Sequence, residues 1–93
     1  MKTSSYSGFY KLSPEQRLKE VAEFTGISKE EQDIISVPGA LNMDKADHMI
    51  ENVIGTFQLP MAVALNFVIN SKDYLIPMVI EEPSVVAAAS NAA

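Results

Sequence analysis

Apolar positions follow a helical spacing in the first half of the chain and become nearly continuous in the second half. Residues 13–16 (Ser-Pro-Glu-Gln) combine a capping serine, a proline suited to the first helical position and a glutamine that completes a capping box. Leu18, Val21 and Ala22 follow at helical spacing, and Gly26 is a typical helix stop. The pattern predicts a helix from residue 13 to residue 26, preceded by a polar and aromatic N-terminal arm over residues 1–12.

Two further helices are predicted before the apolar half of the chain begins. Residues 28–31 repeat the capping-box pattern and start a short helix that ends before the Pro-Gly pair at 38–39. A third helix is predicted to begin near Asp44, with that residue as a cap and Asp47 as a first-turn charge, and to close at Gly55. Its apolar face consists of Ala46, Met49, Ile50 and Val53.

The second half of the chain has the composition of a β-hairpin. Met61 to Ile69 is rich in valine, leucine, phenylalanine and isoleucine, as strands are, and residues 70–73 (Asn-Ser-Lys-Asp) have turn chemistry. Tyr74 to Ile80 is again apolar. Pro77 cannot donate a ladder hydrogen bond, so it indicates an edge strand or a bulge.

The last predicted helix starts after Pro83 and covers residues 85–93, which are rich in alanine. It contains no glycine stop and no closing lysine or arginine, which favours the interpretation that the chain is cut inside this helix. The predicted class is α+β, with short N-terminal helices, then a β-hairpin, then the start of a longer helix.

Composition narrows the functional classes. A chain of 93 residues has room for one small domain, and without cysteine it has no disulfide or thiolate metal site. The net charge of −5 argues against a nucleic-acid or anionic-membrane surface. No signal peptide and no apolar stretch long enough to cross a bilayer is present, so a cytoplasmic protein without nucleic-acid or membrane partners is expected.

The adjacent carboxylates Glu81 and Glu82, directly before Pro83, are the most suggestive chemistry in the chain. Neighbours on an extended strand point to opposite faces, so at most one of them faces a pocket. One interpretation is a pair of solvated charges at a helix N-terminus, where carboxylates are favoured. The other is that one glutamate continues a buried strand face, where burial raises its pKa as a proton donor requires. Periodicity alone leaves both open.

The other candidate functional residues give weaker evidence for a site. His48 is the only histidine, which favours a surface or interface position over a metal site. The four glycines stand apart at positions 8, 26, 39 and 55, so there is no glycine-rich phosphate loop, and no nucleophile elbow is present. The residues considered alone name no function.

Two segments carry a resemblance to a known family. Residues 51–60 (ENVIGTFQLP) and 76–90 (IPMVIEEPSVVAAAS), with the helix start at residues 12–14 and Met43-Asp44, resemble class II hydroxymethylglutaryl-coenzyme A reductase, the bacterial and archaeal type. Members of that family reduce hydroxymethylglutaryl-CoA to mevalonate and free CoA with two hydrides from NADH or NADPH, or run the reverse direction, and act as homodimers or higher oligomers.

By resemblance, Glu82 corresponds to the catalytic glutamate, which works with a lysine in proton transfer. Ser84 would lie near the hydroxymethylglutaryl group. The dimer interface would include Glu51, Asn52, Val53, Ile54 and Gly55, because the family builds its active sites from two subunits.

The resemblance also implies what is missing. The family's catalytic lysine, aspartate and histidine come later in the chain, as does its nucleotide-binding domain. Residues 13–93 are therefore expected to be the first part of the larger, substrate-binding domain, binding no cofactor and no metal by themselves and inactive alone. The alternative is a non-catalytic module that binds a full-length reductase subunit.

Overall fold

The two predicted capping boxes set the entry of the first two helices. The computed structural model describes all 93 residues, and helix α1 (Pro14–Thr25) begins after Ser13, whose Oγ accepts from the Gln16 backbone N–H at 3.1 Å. Helix α2 (Lys29–Ser36) begins in the same way after Ser28. In each box the residue at the third helical position returns a hydrogen bond to the capping residue, so two free N–H groups are satisfied at once. Helices α1 and α2 pack against each other.

The third helix is shorter than the sequence predicts. Helix α3 (Met43–Met49) ends at Ile50, which is extended, and the predicted continuation to Gly55 is wrong. Its N-cap is Asn42, whose side chain accepts from the Lys45 N–H at 2.9 Å, so Asp44 lies in the first turn and is not the cap. The predicted apolar face finds little to pack on, because only Ala46 of this helix is buried. Such a short helix is marginal without a packing surface.

The hairpin is confirmed. Strand β1 (Met61–Ile69) has the predicted bounds, and strand β2 (Lys72–Val79) pairs with it in antiparallel register from Met61–Val79 to Ile69–Lys72. Strand β2 starts two residues earlier than predicted because the turn needs only Asn70 and Ser71. Both have positive φ, 51° and 65°, as in the type I′ turns that favour two-residue hairpins.

A bulge interrupts the hairpin between Ala64 and Phe67. Two residues of β1, Leu65 and Asn66, lie opposite the single Leu75 of β2, and Asn66 has φ of 68°. Pro77 pairs regularly with Val63 on what is an edge strand, so the bulge is not at the proline.

The N-terminal arm and the last helix both contact the hairpin at this bulge. Helix α4 (Val85–Ala92) packs on β1. From the arm, Ser4 is 1% exposed and its hydroxyl lies 2.7 Å from Asp73 Oδ1, while its carbonyl accepts from the Asn66 N–H at 2.9 Å. The arm therefore orders against the chain's own hairpin. A short 3-10 helix (Phe9–Lys11) then leads the chain into α1.

The core is small, and its residues come from the 3-10 helix, α1, α3 and β1. Its apolar members are Phe9, Ala22, Ala46 and Ala64. Tyr6 packs edge-on against Phe9, with ring centroids 5.6 Å apart. The observed architecture, four α-helices and a two-stranded antiparallel hairpin, confirms the α+β prediction.

Candidate functional site

The Glu-Glu-Pro-Ser corner, residues 81–84, connects the end of the hairpin to the last helix. Strand β2 ends at Val79, and the Ile80 N–H still donates to the Pro60 carbonyl at 3.3 Å. The chain then bends through Glu81 and Glu82 and turns at Pro83 into α4. The corner thus lies between one end of the sheet and one end of a helix.

Both carboxylates of the corner are exposed, and neither forms a hydrogen bond or salt bridge within the chain. The prediction that Glu82 continues a buried strand face is therefore wrong for this chain. Strand alternation stops at Val79, so it does not reach residue 82. The other interpretation, a pair of solvated charges at a helix N-terminus, agrees with the structure in that both carboxylates are exposed just before the start of α4, although no side chain caps that helix. Glu82 is a free carboxylate.

Ser84 holds a backbone conformation that serine rarely adopts. Its φ is 76° and its ψ is −12°, in the left-handed region, and it immediately precedes the first residue of α4. Its carbonyl accepts from the Ala88 N–H at 2.9 Å, whereas its hydroxyl makes no capping bond. Non-glycine residues with positive φ are sparse and concentrate at functional sites. Ser84 therefore presents an exposed, unused hydroxyl beside an unused carboxylate.

The segment over residues 51–55 is a turn followed by extended chain, and the sequence prediction of a helix end is wrong here. Asn52 has φ of 61°, and Ile54 is fully exposed. Phe57, just beyond, is 88% exposed. Only Val53 is half-buried; it lines a cleft of about 260 Å³ beside α3. An isolated chain gains nothing from apolar side chains in water, so this segment has the character of a contact surface.

The Glu-Glu-Pro-Ser corner and the 51–55 segment, both selected from the sequence, lie on chain paths that reach the same end of the hairpin. Residues 51–60 lead into β1, residues 80–84 lead out of β2, and the two paths meet where Ile80 bonds to Pro60. No contact joins Glu82 to the 51–55 segment directly. The candidate site is thus one end of a hairpin, with a free carboxylate on one path and exposed apolar side chains on the other.

Two polar residues, Ser90 and Asn66, join the far end of α4 to strand β1. Sequence reasoning did not select either of them. Ser90 Oγ accepts from the Leu65 N–H at 2.9 Å and donates to the Val86 carbonyl at 2.9 Å. The Asn66 side-chain amide donates to the Ser90 carbonyl at 3.0 Å. The sequence marks both positions as unusual, because Asn66 interrupts an apolar strand and Ser90 interrupts an alanine run.

Metal and membrane chemistry receive no support from the described residues. No group of three histidine, cysteine, aspartate or glutamate side chains lies close enough to hold a metal ion. His48 is exposed, and its Nδ1 lies 2.7 Å from the Asp44 carbonyl one turn earlier in α3. None of the helices has the length and apolar character needed to span a bilayer.

Comparison with known proteins decides the family. The model of the hydroxymethylglutaryl-coenzyme A reductase family matches residues 13–93. The chain belongs to this family. Among curated relatives, the 3-hydroxy-3-methylglutaryl-coenzyme A reductase of Archaeoglobus fulgidus is 66% identical over 91 residues, which is 98% of this chain and 21% of that protein. A probable reductase of Borreliella burgdorferi is 36% identical over 96 residues, covering 22% of its length.

Solved reductase structures share the fold. The class II reductase of Streptococcus pneumoniae, bound to NADPH in open conformations, matches with a TM-score of 0.83 at 40% identity and covers 95% of this chain and 24% of that one. A second structure of the Streptococcus pneumoniae reductase gives a TM-score of 0.76 at 38% identity. The class II resemblance of the sequence is confirmed, and the chain spans between a fifth and a quarter of the length of these relatives.

Proposed function

We propose that this chain supplies the catalytic glutamate of a class II reductase that interconverts hydroxymethylglutaryl-CoA and mevalonate plus CoA. The family match through the corner supports this, together with the free carboxylate of Glu82 and the free hydroxyl of Ser84 beside it. Residues 13–93 would form the first part of the substrate-binding domain, and residues 1–12 its N-terminal arm.

Glu82 would act as the proton donor at the thioester carbonyl and at the aldehyde intermediate, working with a lysine from another part of the enzyme. A carboxyl serves as a donor near neutral pH only when its surroundings raise its pKa, by removal of water or by a neighbouring negative charge. In this chain Glu82 is exposed. The complete enzyme would therefore have to change the surroundings of the corner, and the chain alone is expected to be inactive.

Ser84 would hydrogen-bond the hydroxymethylglutaryl group. Its left-handed backbone places it at the start of α4, two residues after Glu82 in sequence, so a substrate bound by the hydroxyl would lie near the carboxyl. The strained conformation fixes this geometry before the substrate arrives.

The complete enzyme would use NADH or NADPH, which supplies the two hydrides when bound. This chain does not fit the cofactor's phosphates, because its four glycines stand alone and form no phosphate-binding loop. The groups that hold the nucleotide are therefore expected in the rest of the polypeptide.

The test of the catalytic assignment is a hybrid enzyme in which this chain replaces the matching region of the Archaeoglobus fulgidus relative. Glu82→Gln removes the titratable proton of the carboxyl while keeping the shape of the side chain. The turnover number should therefore fall by about 10²–10⁴-fold, the usual contribution of a general acid. Glu81→Gln is the matched control, because it makes the same change at the adjacent exposed position. Near-normal turnover in the Glu82 variant would contradict the proposal.

Residues 51–55 would form the dimer interface. The full exposure of Ile54 favours this, and it equally favours the second candidate function, a non-catalytic module that binds a reductase subunit. The mass of the purified chain by size-exclusion chromatography with light scattering, alone and mixed with the complete relative, separates the two. Self-association of the chain alone supports the dimer interface, whereas a mixed complex without self-association, or a hybrid that is inactive whatever residue is at 82, favours the binding module.

A further inference from the structure

We propose that Ser90 and Asn66 are positioning residues that hold the Glu82 corner by locking α4 onto the bulge of β1. This inference rests on the proposed function of Glu82. It concerns a set of hydrogen bonds near the far end of the helix from the corner, and neither residue hydrogen-bonds to Glu82.

The bulge supplies hydrogen-bonding groups that regular pairing would have used. Because Leu65 and Asn66 share one partner residue on β2, their backbone groups are free for other partners. The Leu65 N–H bonds to Ser90 of α4, and the Asn66 N–H bonds to Ser4 of the arm. The bulge is therefore held from two sides by elements distant in sequence.

Ser90 is the point at which α4 is hydrogen-bonded to the sheet. Its hydroxyl and its carbonyl each engage the bulge, through the Leu65 N–H and the Asn66 side-chain amide. The remainder of the helix packs on β1 without a further hydrogen bond to the strand, and non-directional packing resists sliding less than directional bonds do. These two hydrogen bonds fix the register of the helix on the strand.

The corner lies between the end of the sheet and the hydrogen bonds that Ser90 forms with Leu65 and Asn66, which we call the lock. On the strand side Ile80 bonds to Pro60, and on the helix side α4 runs rigidly from Val85 to Ser90, a rise of about 7.5 Å. A helix tilt of about 10° about Ser90 moves its first residue by about 1.3 Å on this lever. Displacements of about 1 Å in a catalytic group cost on the order of 10²-fold in rate. The lock therefore matters for the reaction although it is remote from it.

Asn66 has two separable roles. Its φ of 68° suits asparagine or glycine, and its amide donates to Ser90. Asn66→Gly keeps the bulge conformation and removes the amide, whereas Ser90→Ala removes the hydroxyl and leaves the bulge intact. Ser90→Thr retains the hydroxyl and serves as the conservative rescue.

The first measurement is amide hydrogen exchange in the chain itself. Ser90→Ala should raise the exchange rate of the Leu65 amide, and Ser90→Thr should restore it. Unchanged exchange at Leu65 in the alanine variant would overturn the proposal, because the lock would then not exist.

The second measurement is steady-state kinetics in the hybrid enzyme. Ser90→Ala and Asn66→Gly should each lower kcat by about 10–100-fold with KM unchanged, since substrate contacts stay in place. Ser28→Ala, which removes the cap of α2, is the control for a general loss of stability and should leave kcat unchanged. If one lock variant fails to fold, the other carries the test.

The outcomes separate the two proposals. Normal kcat in both lock variants, with turnover abolished by Glu82→Gln, overturns the positioning role and keeps the catalytic assignment. Normal kcat in Glu82→Gln overturns the catalytic assignment itself. A fall in kcat that Ser90→Thr rescues, with Ser28→Ala unaffected, is the expected result.

Discussion

Two phenylalanines of this chain have opposite environments, and the same substitution at each should have opposite consequences. Phe9 is 8% exposed and lies in the 3-10 helix at the end of the arm, whereas Phe57 is 88% exposed beyond the 51–55 turn. Phe9→Ala should lower the free energy of unfolding by about 3 kcal/mol, the lower end of the range for buried phenylalanine, because Phe9 lies at the margin of a small core. That figure includes the edge contact with Tyr6, since such pairs contribute about 0.5–1.5 kcal/mol.

This loss is large for so small a domain. Typical values per residue give roughly 5–14 kcal/mol for a chain of this length, and the small core favours the lower end. Phe9→Ala should therefore remove about half of the stability and lower Tm by about 12–24 °C. Phe57→Ala should change the free energy of unfolding by less than about 0.5 kcal/mol, as surface substitutions usually do.

The assay is urea unfolding of each purified variant, followed by far-ultraviolet circular dichroism at a concentration where the chain is monomeric. Phe9→Leu is the control that keeps an apolar side chain of intermediate size, and it should cost less than Phe9→Ala. Equal losses at the two positions would refute the reasoning, because Phe57 would then be buried in the isolated chain. A loss below about 1 kcal/mol at Phe9 would equally refute it.

Two further predictions concern the hairpin. The Ser4 backbone N–H and hydroxyl, which both bond to Asp73, hold the pKa of that carboxyl below its ordinary value of 3.8. A carboxyl whose pKa folding lowers stabilises the fold above its unfolded pKa, and this contribution is lost as pH falls from about 3.8 through the folded value. Asp73→Asn should make Tm depend less on pH below about 3.8. An unchanged dependence of Tm on pH would contradict the hydrogen bonds from Ser4 to Asp73. Ser71→Gly should raise the stability by about 1 kcal/mol, because glycine adopts positive φ without strain. Thermal unfolding measures this, and Ser71→Ala, which keeps the strain, should show no gain.

The parts of the fold that the sequence predicts correctly depend on local chemistry. The capping boxes at Ser13 and Ser28 require only residues three apart, and both form as predicted. The bounds of β1 follow from an apolar run, interrupted only by Asn66, between Pro60 and Asn70, both of which end strands. In each case the deciding partners lie within one turn or one strand.

The structural features that the sequence predicts wrongly, or does not predict, depend on contacts between residues far apart in the chain. Helix α3 was predicted to reach Gly55 because its apolar spacing continues to Val53, but a helix persists only where its apolar face is buried. The Ser4–Asp73 contact joins residues 69 positions apart, and the Ser90–Leu65 contact joins residues 25 apart. Nothing in either segment specifies the other as its partner.

The candidate site shows the same division. Resemblance led to Glu82 and Ser84, whereas alternation along the strand left open whether one glutamate of the pair is buried; both are exposed, because the strand ends at Val79. The left-handed conformation of Ser84 was not predicted, since serine is not a residue that signals positive φ.

The contrast between composition and burial bears on where the proposed active site is completed. Hydrophobic residues form 47% of the sequence, yet only Phe9 and three alanines are buried apolar residues. The large apolar side chains at positions 54 and 57 therefore face outward, on the path that enters the hairpin at the end where the Glu82 corner leaves it. A surface that covered these side chains and continued to the end of the hairpin would lie beside the corner. Such a surface would remove water from Glu82 in the same step that buries the apolar residues, so the hydrophobic effect would supply the free energy that raising a carboxyl pKa costs.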